Sequence, residues 1–239
     1  MTDDRFRDRV VLVTGVGRAG QIGHAVALAF GRAGARLVAA DLDAVGVSRC
    51  VREFQAAGLD AQPSAGDLTV PDIAALAVET ALRHYGRLDA VINVAGGLTT
   101  YGPIAKANVR DFDREIAINV KTVFLVSQAA VEALAATRGA IVSFASIAVL
   151  EPQSPMAVYS AAKAAVAGFT LSLASELAER GVRVNAIAPG MVRTAENVAS
   201  VGADARYVEL DDICAGVLDL ADPASTLTGT IRAIRPRGG

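Results

Sequence analysis

The sequence predicts an open α/β fold, a doubly wound parallel sheet of about seven strands with helices on both faces, and three observations carry that expectation. Short apolar runs of strand length alternate with longer helical patterns along all 239 residues, which argues right-handed crossovers between parallel strands. No composition break or linker divides the chain, so residues 1–239 read as one domain. Polar and small residues recur at the C-terminal ends of the apolar runs, where open α/β sheets place their ligands.

Arg9-Val10-Val11-Leu12-Val13 is the first strand, ending in Thr14-Gly15. Glycines at 17, 20 and 23 follow, then a helical pattern through Gly31. Such a loop lets backbone approach a pyrophosphate and aims helix N-terminal N–H groups at it. Arg36-Leu37-Val38-Ala39-Ala40 is the second strand and ends in Asp41, eighteen residues past Gly23. That is close to the spacing at which an acidic residue meets an adenosine ribose. Asp43 is placed to cap the next helix, about Ala44 to Ala57. The stretch Asp60–Asp67 is a weaker strand whose Pro63 assigns it to a sheet edge, closed by Asp67-Leu68-Thr69.

Pro71 opens a helix to about Tyr85, and Leu88–Val94 is a buried strand leading into Asn93-Val94-Ala95-Gly96-Gly97, small enough for close ligand approach. A helix from about Val109 to Ala136 carries Asn119 on its apolar face, where an amide needs partners. The next strand, Ala140–Ala145, delivers Ser146 at its C-terminal end. A helix follows to about Arg180, Val182–Ala188 is a sixth strand ending in Pro189-Gly190, and Gly229–Ile234 is a seventh. The segment Ala195–Tyr207 is the least periodic part after Pro189, a candidate substrate loop.

The chemistry is concentrated in Ala157-Val158-Tyr159-Ser160-Ala161-Ala162-Lys163. Helical spacing of i and i+4 puts the Tyr159 phenol and the Lys163 ammonium on one face. A phenol with a reference pKa of about 10 transfers protons poorly near neutrality, and an adjacent cation favours its ionised form. Ser146, thirteen residues before the tyrosine, supplies a hydroxyl to hold a substrate oxygen beside it.

Composition excludes other classes. Hydrophobic residues at 52% with 20% charged rule out a disordered chain, and a formal net charge of −2 without blocks of like charge leaves no footprint for nucleic acid or an anionic membrane. The N-terminus Met1-Thr2-Asp3-Asp4-Arg5 has no signal-peptide core, and no uninterrupted apolar stretch reaches the length of a membrane span. Cys50 and Cys214 are too few for a disulfide framework, and His24 and His84 lack metal-like partners, so no metal site is expected. A reducing cytoplasm is the expected setting.

In these motifs the chain resembles the short-chain dehydrogenase/reductase family over nearly its whole length. Thr14-Gly15 with Gly17, Gly20 and Gly23 matches the glycine loop of that Rossmann-like fold, and Asn93-Val94-Ala95-Gly96 matches the turn after the fourth strand. Asn119, Ser146, Tyr159 and Lys163 match the catalytic tetrad, and Pro189-Gly190 with Thr194 matches a later turn. The resemblance implies hydride transfer between a nicotinamide cofactor and a secondary alcohol or ketone. Tyr159 would give or take the hydroxyl proton and Ser146 would hold the substrate oxygen. Lys163 would lower the tyrosine pKa and grip the nicotinamide ribose, and Asn119 would hold a water in the proton relay. It further implies that Thr14, Ile22, Asp41, Asp67, Leu68, Asn93, Thr194 and the backbone at Val192 line the cofactor. Ile147, Ala148 and Glu151, with Gly97 and Leu98, would border a mostly apolar substrate pocket.

Three departures stand out. The loop from Thr14 to Gly23 is two residues longer than the family's, Val94 replaces a second Asn, and the tail Arg235-Pro236-Arg237-Gly238-Gly239 lacks an acidic residue before its glycines. Asp41 favours NAD(H), because its charge opposes a 2′-phosphate, while Arg18 in the glycine loop keeps NADP(H) open. The helices 120–137 and 158–180 are nearly apolar all round, which implies a partner for their outer faces, and the resemblance implies a homotetramer or homodimer that pairs them. A reductase of 3-oxoacyl thioesters on an acyl carrier protein is an alternative within the family, and a non-catalytic nucleotide-binding protein is one outside enzymes.

Overall fold

A computed structural model describes residues 4–237. Met1-Thr2-Asp3 and the closing Gly238-Gly239 considered above lie outside the described residues. Seven strands form one sheet: β1 (Val10–Thr14), β2 (Arg36–Asp41), β3 (Ala61–Ala65), β4 (Ala90–Asn93), β5 (Ala140–Phe144), β6 (Arg183–Pro189) and β7 (Ile231–Ile234). Their order is β3-β2-β1-β4-β5-β6-β7 and every pairing is parallel. The order reverses between β1 and β4, so a crevice opens at the C-terminal ends of these two strands. Pro63 sits in β3 at the sheet edge, where its missing N–H removes no ladder bond from a central strand.

Eight α-helices cover the sheet: α1 (Ile22–Arg32), α2 (Ala44–Ala56), α3 (Pro71–Tyr85), α4 (Val109–Ile116), α5 (Thr122–Thr137), α6 (Ala157–Leu177), α7 (Ala195–Val201) and α8 (Leu210–Ala221). Strand residues divide between two cores with the period of two that a pleated strand imposes. Val11 and Val13 of β1 pack with α1, α2 and α8, whereas Val10 and Leu12 pack with α3, α5 and α6. The crossover helices therefore seal both faces.

Four local features differ from the sequence-based expectation. The helix expected over 109–136 is interrupted by a π-turn, Ala117–Lys121, with Asn119 buried inside it. The Thr122 N–H reaches back to Ala117 O and the Thr122 hydroxyl donates to Ile118 O at 2.8 Å, which absorbs the extra residue. Half of the 195–207 segment is helical as α7, because Thr194 caps it by accepting the Asn197 N–H at 3.2 Å. Helix α8 was not anticipated, although Ile213, Val217 and Leu220 recur at helical spacing and are buried against the first core. Finally, the helical runs 109–137 and 157–180 are long and apolar enough by length and composition to cross a membrane. Each packs one side into the second core, and 39% and 44% of their most apolar stretch is buried.

Candidate active site

A cleft of about 310 Å³ lies across the C-terminal ends of β1, β2 and β4. It is lined by Gly15, Ile22, Gly23, Asp41, Asp67, Leu68, Ala95 and Gly96, all singled out in the sequence. Arg18, Gln21, Leu42, Gly66, Val94 and Thr69 complete its rim, with Ile118 and Thr122 from the π-turn region. Leu42 and the π-turn residues escaped sequence reasoning: an exposed leucine after Asp41 carries no motif, and the π-turn is invisible to a period of 3.6.

The cleft fits a dinucleotide on its own geometry. A Cβ on Gly23 would stand 2.1 Å from Gly15 O, so only glycine lets α1 start this close to β1. Gly15, at φ +78, turns the chain against Ala95, whose backbone N would be 3.0 Å from any added Cβ. Gln21, the N-cap of α1, makes no side-chain cap bond, so no side chain competes with an anion there. At the far end Asp41 accepts the Gly17 N–H on Oδ2 at 2.7 Å and the Asp43 N–H on Oδ1 at 2.9 Å. Each oxygen keeps a second lone pair free for a ribose hydroxyl. Arg18 turns toward α7 and pairs with Glu196 at 2.8 Å, bridging the glycine loop to the 195–207 segment.

Several residues expected to line the cofactor are spent on structure. The Thr14 hydroxyl, buried, accepts the N–H groups of Val94 and Ala95 at 3.0 and 2.9 Å and so ties the end of β1 to the turn after β4. Asn93 is buried within the sheet, its Nδ2 donating to Ser127 Oγ at 3.2 Å and Ser143 Oγ at 3.4 Å. Thr194 caps α7, and Val192 is buried with its carbonyl accepting from Thr194 N and Asn197 Nδ2. Gly17 lies beneath Asp41, where a Cβ would meet Asp41 Cγ at 2.5 Å, and Gly20 opens outward while its N–H reaches His24 Nδ1 at 3.3 Å. Pro189 ends β6, and the Gly190 N–H donates to Ile234 O at 2.9 Å, joining β6 to β7.

Beside the cleft the tetrad residues converge. Ser146 follows β5 and caps a 3-10 turn, Ile147–Val149, by accepting the Ala148 N–H at 3.2 Å. Tyr159 and Lys163 stand one turn apart at the start of α6, with Lys163 Nζ 5.7 Å from the Tyr159 ring centre. Lys163 is buried and donates to Phe144 O at 2.9 Å. Burial pushes its pKa down to about 8, against an opposing attraction from Glu115. For Tyr159, burial raises the pKa, a hydrogen bond from Ser146 works against that, and Glu115 adds to the rise. Desolvation is thus the largest influence on the tyrosine, and the lowering expected from Lys163 is not among those that act on it.

Asn119 is buried among protein partners. Its Nδ2 donates to Gly97 O at 2.9 Å, Glu115 O at 3.0 Å and Glu115 Oε1 at 3.0 Å, and its Oδ1 accepts the Gly97 N–H at 3.1 Å. The side-chain amide is thus occupied by protein groups. Glu115, fully buried and absent from the sequence-based site, completes the cluster. Of the residues expected to border the substrate, Gly97 is bonded to Asn119, Leu98 is exposed and Ala148 is buried. Glu151 is engaged by Arg235 at 2.7 and 2.9 Å, which brings the C-terminal tail against this edge.

Comparison with known proteins follows the same outline. A family model described as short chain dehydrogenase matches residues 9–204. A 3-oxoacyl-(acyl-carrier-protein) reductase of Thermotoga maritima is 34% identical over 191 residues, covering 80% of this chain and 76% of the relative. A 2-(S)-hydroxypropyl-CoM dehydrogenase of Xanthobacter autotrophicus is 33% identical over 249 residues, covering 97% and 96%. A solved short-chain type dehydrogenase/reductase from Mycobacterium ulcerans superposes with a TM-score of 0.89 at 30% identity, covering 95% of this chain and 88% of that one.

Proposed function

The chain belongs to the short-chain dehydrogenase/reductase family, NAD(P)-dependent oxidoreductases acting on CH–OH and C=O groups, and on that premise we propose that it interconverts a secondary alcohol and its ketone using NAD(H), with Tyr159 as the acid–base group. The observation that supports this most is the convergence of Ser146, Tyr159 and Lys163 at the end of β5, next to a cleft whose glycines admit a dinucleotide. The cofactor, when bound, supplies or removes the hydride. Gly15, Gly23 and the N-terminus of α1 would hold its pyrophosphate and Asp41 its adenosine ribose. Ser146 orients the substrate oxygen toward the phenol. Tyr159 gives its proton to that oxygen in reduction and takes it back in oxidation, while Lys163 holds a positive charge beside the phenol.

The rim of Gly97, Leu98, Ile147 and Ala148 supports a modest apolar substrate. Reduction of a 3-oxoacyl thioester on an acyl carrier protein has the Thermotoga relative in its favour and would need free basic side chains for docking. Of the arginines that follow β6 and β7, Arg193 is tied to Glu209, Arg235 to Glu151 and Arg237 to Asp212, while Arg206 is exposed. Turnover on a panel of secondary alcohols and ketones, followed by nicotinamide absorbance, tests the small-molecule reading. Activity confined to acyl-carrier-protein thioesters would favour the alternative, and none at all the non-catalytic reading.

The outward faces of α5 and α6 support assembly into a homodimer or homotetramer. Phe124 and Leu171 remain exposed there, and Phe124 meets Phe169 edge-on at 6.2 Å, leaving an apolar surface continuous across the two helices. The free thiols Cys50 and Cys214 support a reducing, cytoplasmic setting.

A further inference from the structure

Helix α4 ends in a carboxylate that none of the roles above uses. Glu115 has no exposed surface, in a place where this residue type is almost never found unless partnered. Its Oε2 accepts the Thr99 N–H at 2.9 Å and the Thr99 hydroxyl at 2.5 Å, and its Oε1 accepts Asn119 Nδ2 at 3.0 Å. The π-turn swings Asn119 inward, one helical turn after Glu115, so that its amide reaches Gly97 as well. Gly96 is glycine for the same reason: at φ +134, a Cβ there would stand 2.6 Å from Asn119 Oδ1. Glu115 thereby stitches the π-turn to the Gly96–Thr99 turn at the border of the substrate rim.

These donors are all neutral, and none cancels a charge. The opposite charge is Lys163, buried on α6, which packs against both α4 and the π-turn. Glu115 is the charged group acting on Lys163, and it also acts on Tyr159. Other charged side chains near by point elsewhere. Arg110, Asp113 and Arg114 of α4 and Lys121 of the π-turn are exposed, and Asp111 is bonded to Asn108. On β6, Arg183 lies at the strand's opposite end and donates to Leu220 O and Ala221 O. A buried ammonium and a buried carboxylate each cost several kcal/mol alone, by order of magnitude, and far less as a pair.

We propose that Glu115 is a positioning residue of this active site, the buried counter-charge of Lys163 and the anchor that holds Asn119 against the Gly96–Thr99 turn. The proposal rests on the roles assigned to Tyr159 and Lys163 above. A negative charge at this point favours the lysine ammonium and disfavours the tyrosine phenolate. Neutralising it therefore moves both titrations to lower pH, and with them the pH window of turnover.

The experiment reads Lys163 directly in the cofactor-free enzyme. The chain has three lysines, at 106, 121 and 163, so NMR of ¹³Cε-labelled lysine gives few signals, and the one lost in Lys163→Arg is Lys163. Glu115→Gln keeps an acceptor for Thr99 and removes the charge. Its Lys163 midpoint should fall from about 8 by about one unit, and an unmoved midpoint in the folded variant overturns the proposal. If Glu115→Gln does not fold, Glu115→Asp withdraws the carboxylate by one methylene. A smaller fall in the Lys163 midpoint is then expected, and none at all overturns it equally. In turnover, the Gln variant should show its whole pH–kcat profile displaced to lower pH, whereas loss of packing alone would lower kcat without displacing it. The titration needs no substrate, so its failure is distinguishable from failure of the acid–base assignment, which turnover of Tyr159→Phe tests.

Discussion

The carboxylate of Asp41 accepts the backbone N–H of Gly17 at 2.7 Å, so the acid at the end of β2 closes the lengthened glycine loop. Gly17 has no alternative, since a Cβ would stand 2.5 Å from Asp41 Cγ. One side chain thus shapes the loop and puts a negative charge at the end of β2, where the proposed reading seats the adenosine ribose.

NADH should accordingly bind more tightly than NADPH. At about 5 Å and an effective dielectric near 20, each pair of unit charges costs roughly 3 kcal/mol, more than a hundredfold in Kd before compensation. The one basic side chain of the loop, Arg18, already pairs with Glu196. Isothermal titration with both cofactors checks this, and tighter NADPH binding contradicts it. Asp41→Ala should narrow the gap by weakening NADH and relieving NADPH.

Tyr159→Phe removes the transferable proton and little else. Turnover should fall by about 10²–10⁴-fold while the Kd for NADH stays near that of the wild type. A kcat like the wild type's would contradict the proposed mechanism.

Lys163 contributes a pH dependence of known sign. Its folded pKa, about 8, lies below the ordinary lysine value because of burial, so the folded protein releases this proton before the unfolded chain does. Between about pH 8 and the unfolded lysine range of about 10.4, this group makes stability rise with pH. Cofactor affinity runs the other way: above pH 8 the ammonium that would hold the ribose is lost, and the Kd for NADH should rise. Lys163→Arg, charged throughout, should bind more weakly at neutrality but lose that rise. Binding titrations at a series of pH values from neutral to alkaline separate the two.

Gly23→Ala should disturb both fold and binding. The added Cβ meets Gly15 O at 2.1 Å, a backbone atom that cannot swing away. A loss of about 1–3 kcal/mol of stability is expected, read as a lower midpoint in urea unfolding, together with weakened NADH binding. Gly20→Ala gives the contrast. Its Cβ meets no atom and only the left-handed backbone, φ +73, resists it, so the cost should be about 1–2 kcal/mol with cofactor binding largely retained.

Light scattering should show an oligomer at micromolar concentration. Phe124→Glu with Leu171→Glu, both exposed on the outward faces of α5 and α6, should dissociate it without unfolding the sheet.

What the sequence determined by itself is whatever local chemistry encodes. Apolar runs and helical periods are set by neighbours in the chain, so the seven strands and the helix bearing Tyr159 and Lys163 could be read directly. The glycine loop and the acid at the end of β2 were legible for the same reason. Tertiary structure decided where a side chain's partners come from distant segments. Thr14 and Asn93 match a cofactor motif, yet they are turned inward by partners 34 to 81 residues away. The direction of Arg18 is set by Glu196, 178 residues on. Glu115 looks in sequence like one more charge on a solvated helix. It is buried because a π-turn, which no 3.6-residue pattern foretells, turns Asn119 inward beside it and because Thr99, from another loop, offers it two donors. Burial is a property of packing among remote segments, and a local pattern can state a residue's chemistry but not its dielectric surroundings, which here decide how Tyr159 and Lys163 hold their protons.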